Sequence, residues 1–167
     1  HPFMKKVKHS VLGLGWFGEK HCEALAAIPN VEIHAICTRN SERLAEVAKR
    51  FGVKKTFTSY DEMLADPELE SVSITTMWDQ HAAPAVAALN AGKHVFLEKP
   101  MASTVADCDA IVNAANAAKS FFMTGHICRF NPRYAAAKQE IAAGRIGKII
   151  SMYARRNLPA WVGASVL

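Results

Sequence analysis

Two periodicities alternate along the chain: short apolar runs of strand type, and longer stretches whose apolar residues share one helical face. Val7–Leu12 reads as a strand, and Phe17–Ile28, closed by Pro29, as a helix. Val31–Cys37 is a second strand. Ser41 caps a helix in which Leu44, Val47, Ala48 and Phe51 fall together, and Gly52 stops it. Ser59 and Glu62 make a capping-box pattern before Met63 and Leu64, with Pro67 after the short helix this implies. Val72–Thr76 is the fourth strand of the series. Pro84 suits the first turn of a helix running to Asn90, Gly92 terminates it, and His94–Leu97 resumes a strand. A further helix begins near Ser103 or Thr104 and carries Ile111, Val112 and Ala115, before Phe121–Thr124 forms the sixth strand.

Strand and helix in alternation select a parallel sheet covered on both faces. The expected fold class is α/β, a doubly wound, six-stranded parallel sheet of Rossmann type. Beyond it the pattern changes. Asn131 and Pro132 open a helix ending at Gly144, and Ile149–Ala154 alternates toward a strand with no place in the first sheet. Residues 4–126 are expected to form a dinucleotide-binding domain. Residues 127–167 read as the incomplete start of an α+β substrate or oligomerisation domain, because a stable sheet needs several strands. His1-Pro2-Phe3, ahead of Met4, reads as a vector remnant.

Val11-Leu-Gly-Leu-Gly-Trp-Phe-Gly18 sets three glycines at G-x-G-x-x-G spacing between the first strand and the first helix. Gly13 allows a tight turn, Gly15 lets the backbone approach a pyrophosphate, and Gly18 lets the helix pack on the strand with its amides facing the phosphates. In this context the motif implies a dinucleotide site; the alternative is an ordinary glycine-containing turn. The Phe17 amide is assigned to the pyrophosphate, while Trp16 is left between an amide role and surface packing. In this fold a carboxylate about 20 positions further on accepts hydrogen bonds from the ribose. Thr38-Arg39-Asn40-Ser41 stands there instead. No carboxylate repels a phosphate, Arg39 can grip or stack over a 2'-phosphate, and Thr38 and Ser41 are neutral donors, so NADP(H) is expected ahead of NAD(H). If Arg39 only stacks on adenine, either cofactor is permitted.

The chain has 167 residues, 50% of them hydrophobic, which suffices for one such domain with a substantial core. No apolar run reaches the ~20 residues that span a bilayer and no secretory signal is recognisable, so a membrane is not expected and a cytoplasmic location is the default. The net charge of +5 is distributed over Lys5, Lys6, Lys8, Lys54, Lys55, Arg155 and Arg156 without interleaved aromatics, which argues against nucleic acid. Cys22, Cys37, Cys108 and Cys128 show no zinc spacing, and His126 with Cys128 does not make a site. No metal is expected, and the thiols are read as reduced and mostly buried.

Ala91-Gly-Lys-His-Val-Phe-Leu-Glu-Lys-Pro100 is similar to the A-G-K-H-V-x-x-E-K-P signature of the glucose-fructose oxidoreductase, inositol dehydrogenase and MocA family of NAD(P)-dependent oxidoreductases. The glycine loop, His81, Gly125-His-Ile-Cys-Arg-Phe-Asn-Pro132 and Gly144-Arg-Ile-Gly147 stand in family order, so the resemblance runs from Met4 to Tyr153. It implies hydride transfer between a nicotinamide and a carbon bearing a hydroxyl or carbonyl, typically on a sugar, an inositol or a related polyol. A homo-oligomer is implied where the second domain is complete. Lys99 is the expected catalytic residue: at the carboxyl end of a strand its ammonium can hydrogen-bond the reacting oxygen as negative charge develops. The alternative is a solvated lysine near a surface turn. Glu98 resembles the residue that orients the nicotinamide end, or it is the ion-pair partner of Lys99. Thr75 and Thr76 match positions lining the middle of the cofactor, although threonine is also common in strands. His81 fits a position near the nicotinamide ribose; otherwise it is a helix cap or a surface residue. Whether the Lys99–Pro100 peptide is cis is not legible.

Two departures stand out. Met77-Trp-Asp-Gln80 occupies the place where many family members have a proline after the fourth strand. The D-x-x-x-H pair of the family's second domain has no counterpart, since Asp61, Asp66, Asp79, Asp107 and Asp109 all lack a histidine four residues on. The chain therefore reads as a fragment or as a truncated relative. A non-catalytic NAD(P)-binding module is the alternative function, favoured by the missing pair and opposed by the intact Glu98-Lys99-Pro100. A methyltransferase with a glycine-rich loop gives those three residues no role.

Overall fold

Alternating patches of β-propensity and helical periodicity fold into six strands and six helices in the computed structural model, which describes residues 5–155 and 157. The expected His1-Pro2-Phe3 remnant lies outside the described residues. The first half runs β1 (Val7–Leu12), α1 (Trp16–Ala26), β2 (Val31–Cys37), α2 (Ser41–Phe51), β3 (Lys55–Phe57) and α3 (Tyr60–Leu64). The second runs β4 (Ser71–Ile74), α4 (Ala82–Asn90), β5 (His94–Leu97), α5 (Val105–Ala117), β6 (Phe122–Thr124) and α6 (Pro132–Ala142), with 3-10 turns at Trp78–Gln80 and Ile127–Phe130. The six strands form one parallel sheet in the order β3-β2-β1-β4-β5-β6. Its order reverses between β1 and β4, where the connecting chains leave in opposite directions and open a crevice at the carboxyl ends.

Strand alternation divides the core into two layers. Val11 and Ile36 pack with Cys22, Leu44 and Val47 of α1 and α2, whereas Leu12, Cys37, Ile74 and Leu97 pack with Met63, Ala85, Leu89 and Ile111 of α3, α4 and α5. Burying a large aliphatic side chain contributes roughly 1.5–3 kcal/mol, against ~0–1 kcal/mol for an exposed ion pair, so these layers hold the sheet. Burial also pushes the Cys22 and Cys37 thiols up to about 11, which keeps them protonated and unreactive at neutral pH.

Several local expectations are corrected. Asn40, not Ser41, is the N-cap of α2, and its side chain accepts from the Arg43 amide at 3.0 Å; Ser41 is the first helical residue. Ser59 precedes α3 without a side-chain capping bond, so the Ser59–Glu62 box does not form. The fourth strand is Ser71–Ile74, which leaves Thr75 and Thr76 in the loop beyond it. Strand β3, which the sequence pattern did not delimit, is three residues long and held by pairing with β2.

One cluster has the composition of a metal site but is built around an ammonium. His34, Asp66 and Glu68 bring their ligand atoms within 4.8 Å of one another. Lys55 Nζ stands among them, 2.7 Å from Asp66 Oδ2, 2.9 Å from Glu68 Oε2 and 3.2 Å from His34 Nε2. Burial pushes the Asp66 carboxyl up, but the hydrogen bonds from Lys55, the Glu68 amide and His34 outweigh it and hold the group well below the usual carboxylate range.

The described residues fall into two compact units divided between His126 and Ile127. In the second unit Asn131 caps α6 by accepting from the Arg133 amide, and Gly144 follows the helix with φ 70°. The expected strand Ile149–Ala154 is absent: residues 149–155 are neither helix nor strand, and Ile150 is 94% exposed. An extended segment becomes a strand only when its amides and carbonyls find a neighbour, and sequence alternation alone does not supply one.

On the α1 side of the sheet, β4 presents Ser71 and Ser73 rather than aliphatic residues, and His9 of β1 fits between them. Its Nδ1 is 2.7 Å from Ser71 Oγ and its Nε2 is 2.8 Å from Ser73 Oγ. Burial, helped by the nearby His21, pushes His9 down to about 4. The unfolded chain therefore binds a proton near pH 6.5 that the folded chain refuses until about pH 4. Stability from this group is complete above pH 6.5 and declines as the pH falls through that window, by at most about 3 kcal/mol. Urea unfolding at pH 7 and pH 4.5 checks this: His9→Asn should flatten the pH dependence, and an unchanged slope in the variant would exclude His9 as its source.

Candidate dinucleotide site

The site begins with the loop that joins β1 to α1. Gly13 adopts φ +93°, and a Cβ there would lie 2.8 Å from the Thr75 carbonyl carbon and the Thr76 nitrogen. At Gly18 a Cβ would stand 1.9 Å from Gly13 O. The turn and the helix thus touch through backbone, and Thr75 locks them by donating from Oγ1 to Gly13 O at 2.6 Å. Gly15 differs: nothing lies within 4 Å of a Cβ built on it, and its φ of −68° suits any residue. It is the N-cap of α1 and offers no capping side chain.

Charge around that helix end is arranged to tolerate an anion. Glu19, the acidic residue of the first turn, forms ion pairs with Arg43 and Arg50. Two guanidiniums thus offset the carboxylate that would oppose an anion at the positive end of the helix dipole. Arg43 Nε also donates to Leu14 O at 2.9 Å, tying the glycine loop to α2.

A cleft of about 930 Å³ opens along these elements. It brings together Gly13, Gly15, Thr38, Arg39, Thr75 and Thr76 of the sequence-derived set. Trp16, Phe17, Gly18, Ser41, His81, Glu98 and Lys99 do not line it. Gly18 is buried beneath the loop, and Ser41 sits exposed on α2. Trp16 is 65% exposed, and Phe17 packs between the Trp16 and His21 rings. The cleft further recruits Thr58 and Ser59 from the β3–α3 connection, Tyr60 from the start of α3, and Asp79 and Gln80 from the 3-10 turn after β4. Sequence reasoning passed over these because only the strand order sets those loops beside the glycines. Arg39 and Asp79 are the charged residues of this lining, and Arg39 Nη2 donates to Gln80 Oε1 at 3.0 Å.

The signature decapeptide divides into structural and crevice-facing halves. Lys93 is buried and donates to the carbonyls of Asp66 and Leu69 at 2.8 and 2.9 Å, and His94 Nδ1 accepts from the Phe121 amide. Glu98 and Lys99 follow the end of β5, at the same carboxyl edge of the sheet as the glycine loop, and the Lys99–Pro100 peptide is cis. The Glu98 carboxylate is 5% exposed as a residue; it faces His21 Nε2 at 3.1 Å and accepts from the Lys99 amide at 3.2 Å. Ion pairing with the Lys99 ammonium, one of the two sequence alternatives, is not what the structure contains; Lys99 is exposed. His81 is the N-cap residue of α4 without a side-chain capping bond, and it is not a surface residue. It is 1% exposed, with Nδ1 2.8 Å from Pro100 O and Nε2 3.0 Å from Thr76 O, so it braces the loops after β4 and β5 against each other.

A glycine-floored cleft under an uncapped helix end, at the reversal of strand order, fits an ADP-ribose group. The profile of an oxidoreductase family with an NAD-binding Rossmann fold matches residues 7–126. The chain belongs to this family. It is 39% identical over 137 residues to a 4-carboxy-2-hydroxymuconate-6-semialdehyde dehydrogenase of Sphingobium, covering 82% of this chain and 44% of that protein. It is 33% identical over 152 residues to the inositol 2-dehydrogenase of Salmonella typhimurium, with 89% and 45% covered. Among solved structures, scyllo-inositol dehydrogenase from Lactobacillus casei with bound NAD(H) and scyllo-inositol superposes with a TM-score of 0.79 at 31% identity, over 87% of this chain and 43% of that one. The chain thus spans less than half the length of these relatives. No helix among the described residues is long and apolar enough to cross a membrane.

Two glycine variants separate support from binding. Gly18→Ala should destabilise the domain by roughly 3 kcal/mol or more, because its Cβ meets a main-chain oxygen that cannot retreat. Gly15→Ala should leave stability within about 0.5 kcal/mol of the parent yet weaken dinucleotide binding by about tenfold or more, by filling the open space above the turn. Thermal unfolding with and without NADPH reads both; a destabilised Gly15→Ala, or one that binds as before, would contradict this division.

Proposed function

We propose that this chain carries the cofactor half of an NAD(P)-dependent dehydrogenase acting on a sugar, an inositol or a related polyol. The supporting observation is the uncapped α1 terminus, open above Gly15, with Glu98 and Lys99 on the same edge of the sheet. A nicotinamide bound here would supply hydride-acceptor chemistry at the substrate carbon, the hydroxyl proton passing to an acceptor group of the protein. The Phe17 amide would hold the pyrophosphate at the α1 terminus, and Thr75 and Thr76 would border the middle of the cofactor. Glu98 orients the nicotinamide end. Lys99 donates from its ammonium to the reacting oxygen and favours the negative charge that gathers there. On this reading residues 4–126 are the NAD(P)-binding domain of a cytoplasmic enzyme. The segment from Ile127 opens the substrate and homo-oligomerisation domain, which supplies the proton acceptor. The relative named for a semialdehyde widens the substrate class to carbonyl-derived acids, so both classes belong in any substrate panel.

The cofactor preference is NADP(H). Cys37 ends β2, and Thr38-Arg39-Asn40 follows it into the cleft without a carboxylate. Asp79 enters from the turn after β4, which leaves the β2 side, where the ribose of this fold lies, to Arg39. Charge-assisted hydrogen bonds to a phosphate contribute about 1.5–3 kcal/mol. Fluorescence titration with Trp16 as reporter should therefore give NADPH at least about tenfold tighter than NADH, with Arg39→Ala abolishing the difference. Equal or tighter NADH binding overturns the preference.

Lys99→Ala should keep NADPH binding within about twofold, since the exposed side chain lies outside the cleft. In a protein carrying a complete substrate domain, the same change should depress kcat and kcat/KM together, as expected for an interaction made in the transition state. Unchanged turnover would return Lys99 to the role of a solvated surface lysine.

A further inference from the structure

Behind Glu98 runs a hydrogen-bonded chain that the sequence motifs do not mark. His21 lies on α1, one helical turn past Gly18, with its side chain 15% exposed. Its Nε2 is 3.1 Å from Glu98 Oε1 and its Nδ1 is 3.1 Å from Ser73 Oγ. Ser73 Oγ is in turn 2.8 Å from His9 Nε2, and His9 Nδ1 is 2.7 Å from Ser71 Oγ. A placement of protons running from Ser71 to Glu98 satisfies each contact once. The Ser71 hydroxyl donates to His9 Nδ1, His9 Nε2–H to Ser73, the Ser73 hydroxyl to His21 Nδ1, and His21 Nε2–H to Glu98, with the Lys99 amide on the second carboxylate oxygen. Burial keeps His9 neutral at pH 7.

Packing fixes the same geometry independently. Phe17 and Phe96 meet the His21 ring edge-on, with centroids 5.5 and 5.4 Å away. Gly125 leaves room for the carboxylate, since a Cβ there would lie 2.8 Å from Glu98 Oε1. Glu98 is therefore held from α1 by His21, from its own strand end by the Lys99 amide, and against the backbone following β6.

We infer that His21 is a positioning residue for this active site: its hydrogen bond fixes the Glu98 carboxylate in the one orientation that meets the nicotinamide end of the cofactor. The cofactor-facing part rests on the role proposed above for Glu98. Loss of the donor leaves a buried carboxylate short of a partner and free to turn, a local defect. The α1 amides and Arg39 are untouched by it, so the adenosine and diphosphate portions of the ligand should bind as before.

Four chains test this: the parent, His21→Leu, His21→Gln, whose amide nitrogen can replace Nε2 as donor, and Glu98→Gln. Each is titrated with NADPH and with 2'-phospho-ADP-ribose, which lacks the nicotinamide. His21→Leu should weaken NADPH about tenfold and leave the nicotinamide-free probe within about twofold, and His21→Gln should recover most of the loss. Equal losses for both probes without recovery would reduce His21 to a packing residue, and no loss at all would overturn the inference. Glu98→Gln separates the two claims: if it spares NADPH, the proposed role of Glu98 fails. The His21–Glu98 coupling is then judged by the carboxyl carbon resonance of Glu98, which His21→Leu should move and His21→Gln should restore. A resonance indifferent to His21 overturns the coupling whatever Glu98 does.

Discussion

Backbone touches backbone where Gly18 of α1 rests on the Gly13 carbonyl, and Thr75 donates a hydrogen bond to that same oxygen. This contact fixes the direction in which α1 leaves the sheet, and much else follows from it. The helix must lie close along β1 and β4, and Thr75 must leave β4 beside the glycines. A methyl group at Gly13 or Gly18 would collide with main chain, which has no rotamer to escape into. The room above Gly15 is the converse of the same geometry: a methyl group there would meet nothing within 4 Å.

Close approach of α1 brings a second requirement. Apolar packing dominates elsewhere on both faces of the sheet, but between α1 and β4 the buried side chains are Ser71, Ser73, His9 and His21, ending at Glu98. Each net hydrogen bond is worth only about 0.5–1.5 kcal/mol, while one unsatisfied buried group costs about 1–3 kcal/mol. The seam is therefore favourable only when complete. It makes poor use of burial for stability and good use of it for holding a carboxylate still at the edge of a crevice.

The loops at the carboxyl edge are braced in the same manner. His81 spans the carbonyls of Thr76 and Pro100, and Arg43 joins the glycine loop to α2 while pairing with Glu19. The charged and aromatic residues of the site thus divide between those that face the cleft and those that hold its walls. Lys93, deep in the signature decapeptide, is of the second kind, its ammonium spent on two carbonyls of the α3–β4 connection. The resemblance to known dehydrogenases thus records sheet architecture as much as chemistry.

Element order, the parallel alternation and the glycine turn were legible in the sequence, because helical and strand periods and the steric demands of Gly13, Gly15 and Gly18 are local properties. The family signature added Glu98 and Lys99 at the right strand end. Caps were less legible: Asn40 and Ser41 are both good caps by residue type, and only the path of the chain into α2 chose between them. The strand expected at Ile149–Ala154 failed because a strand exists only with a neighbour. What tertiary structure alone decided was which distant polar groups meet. His21 and Glu98 are 77 residues apart, Arg39 and Gln80 are 41 apart, and His81 is buried by loops that no periodicity connects. Hydrogen bonds are directional and need their partner within about 3 Å. A local pattern can place a residue on a strand or a helix, but the strand order of the sheet decides what stands opposite it.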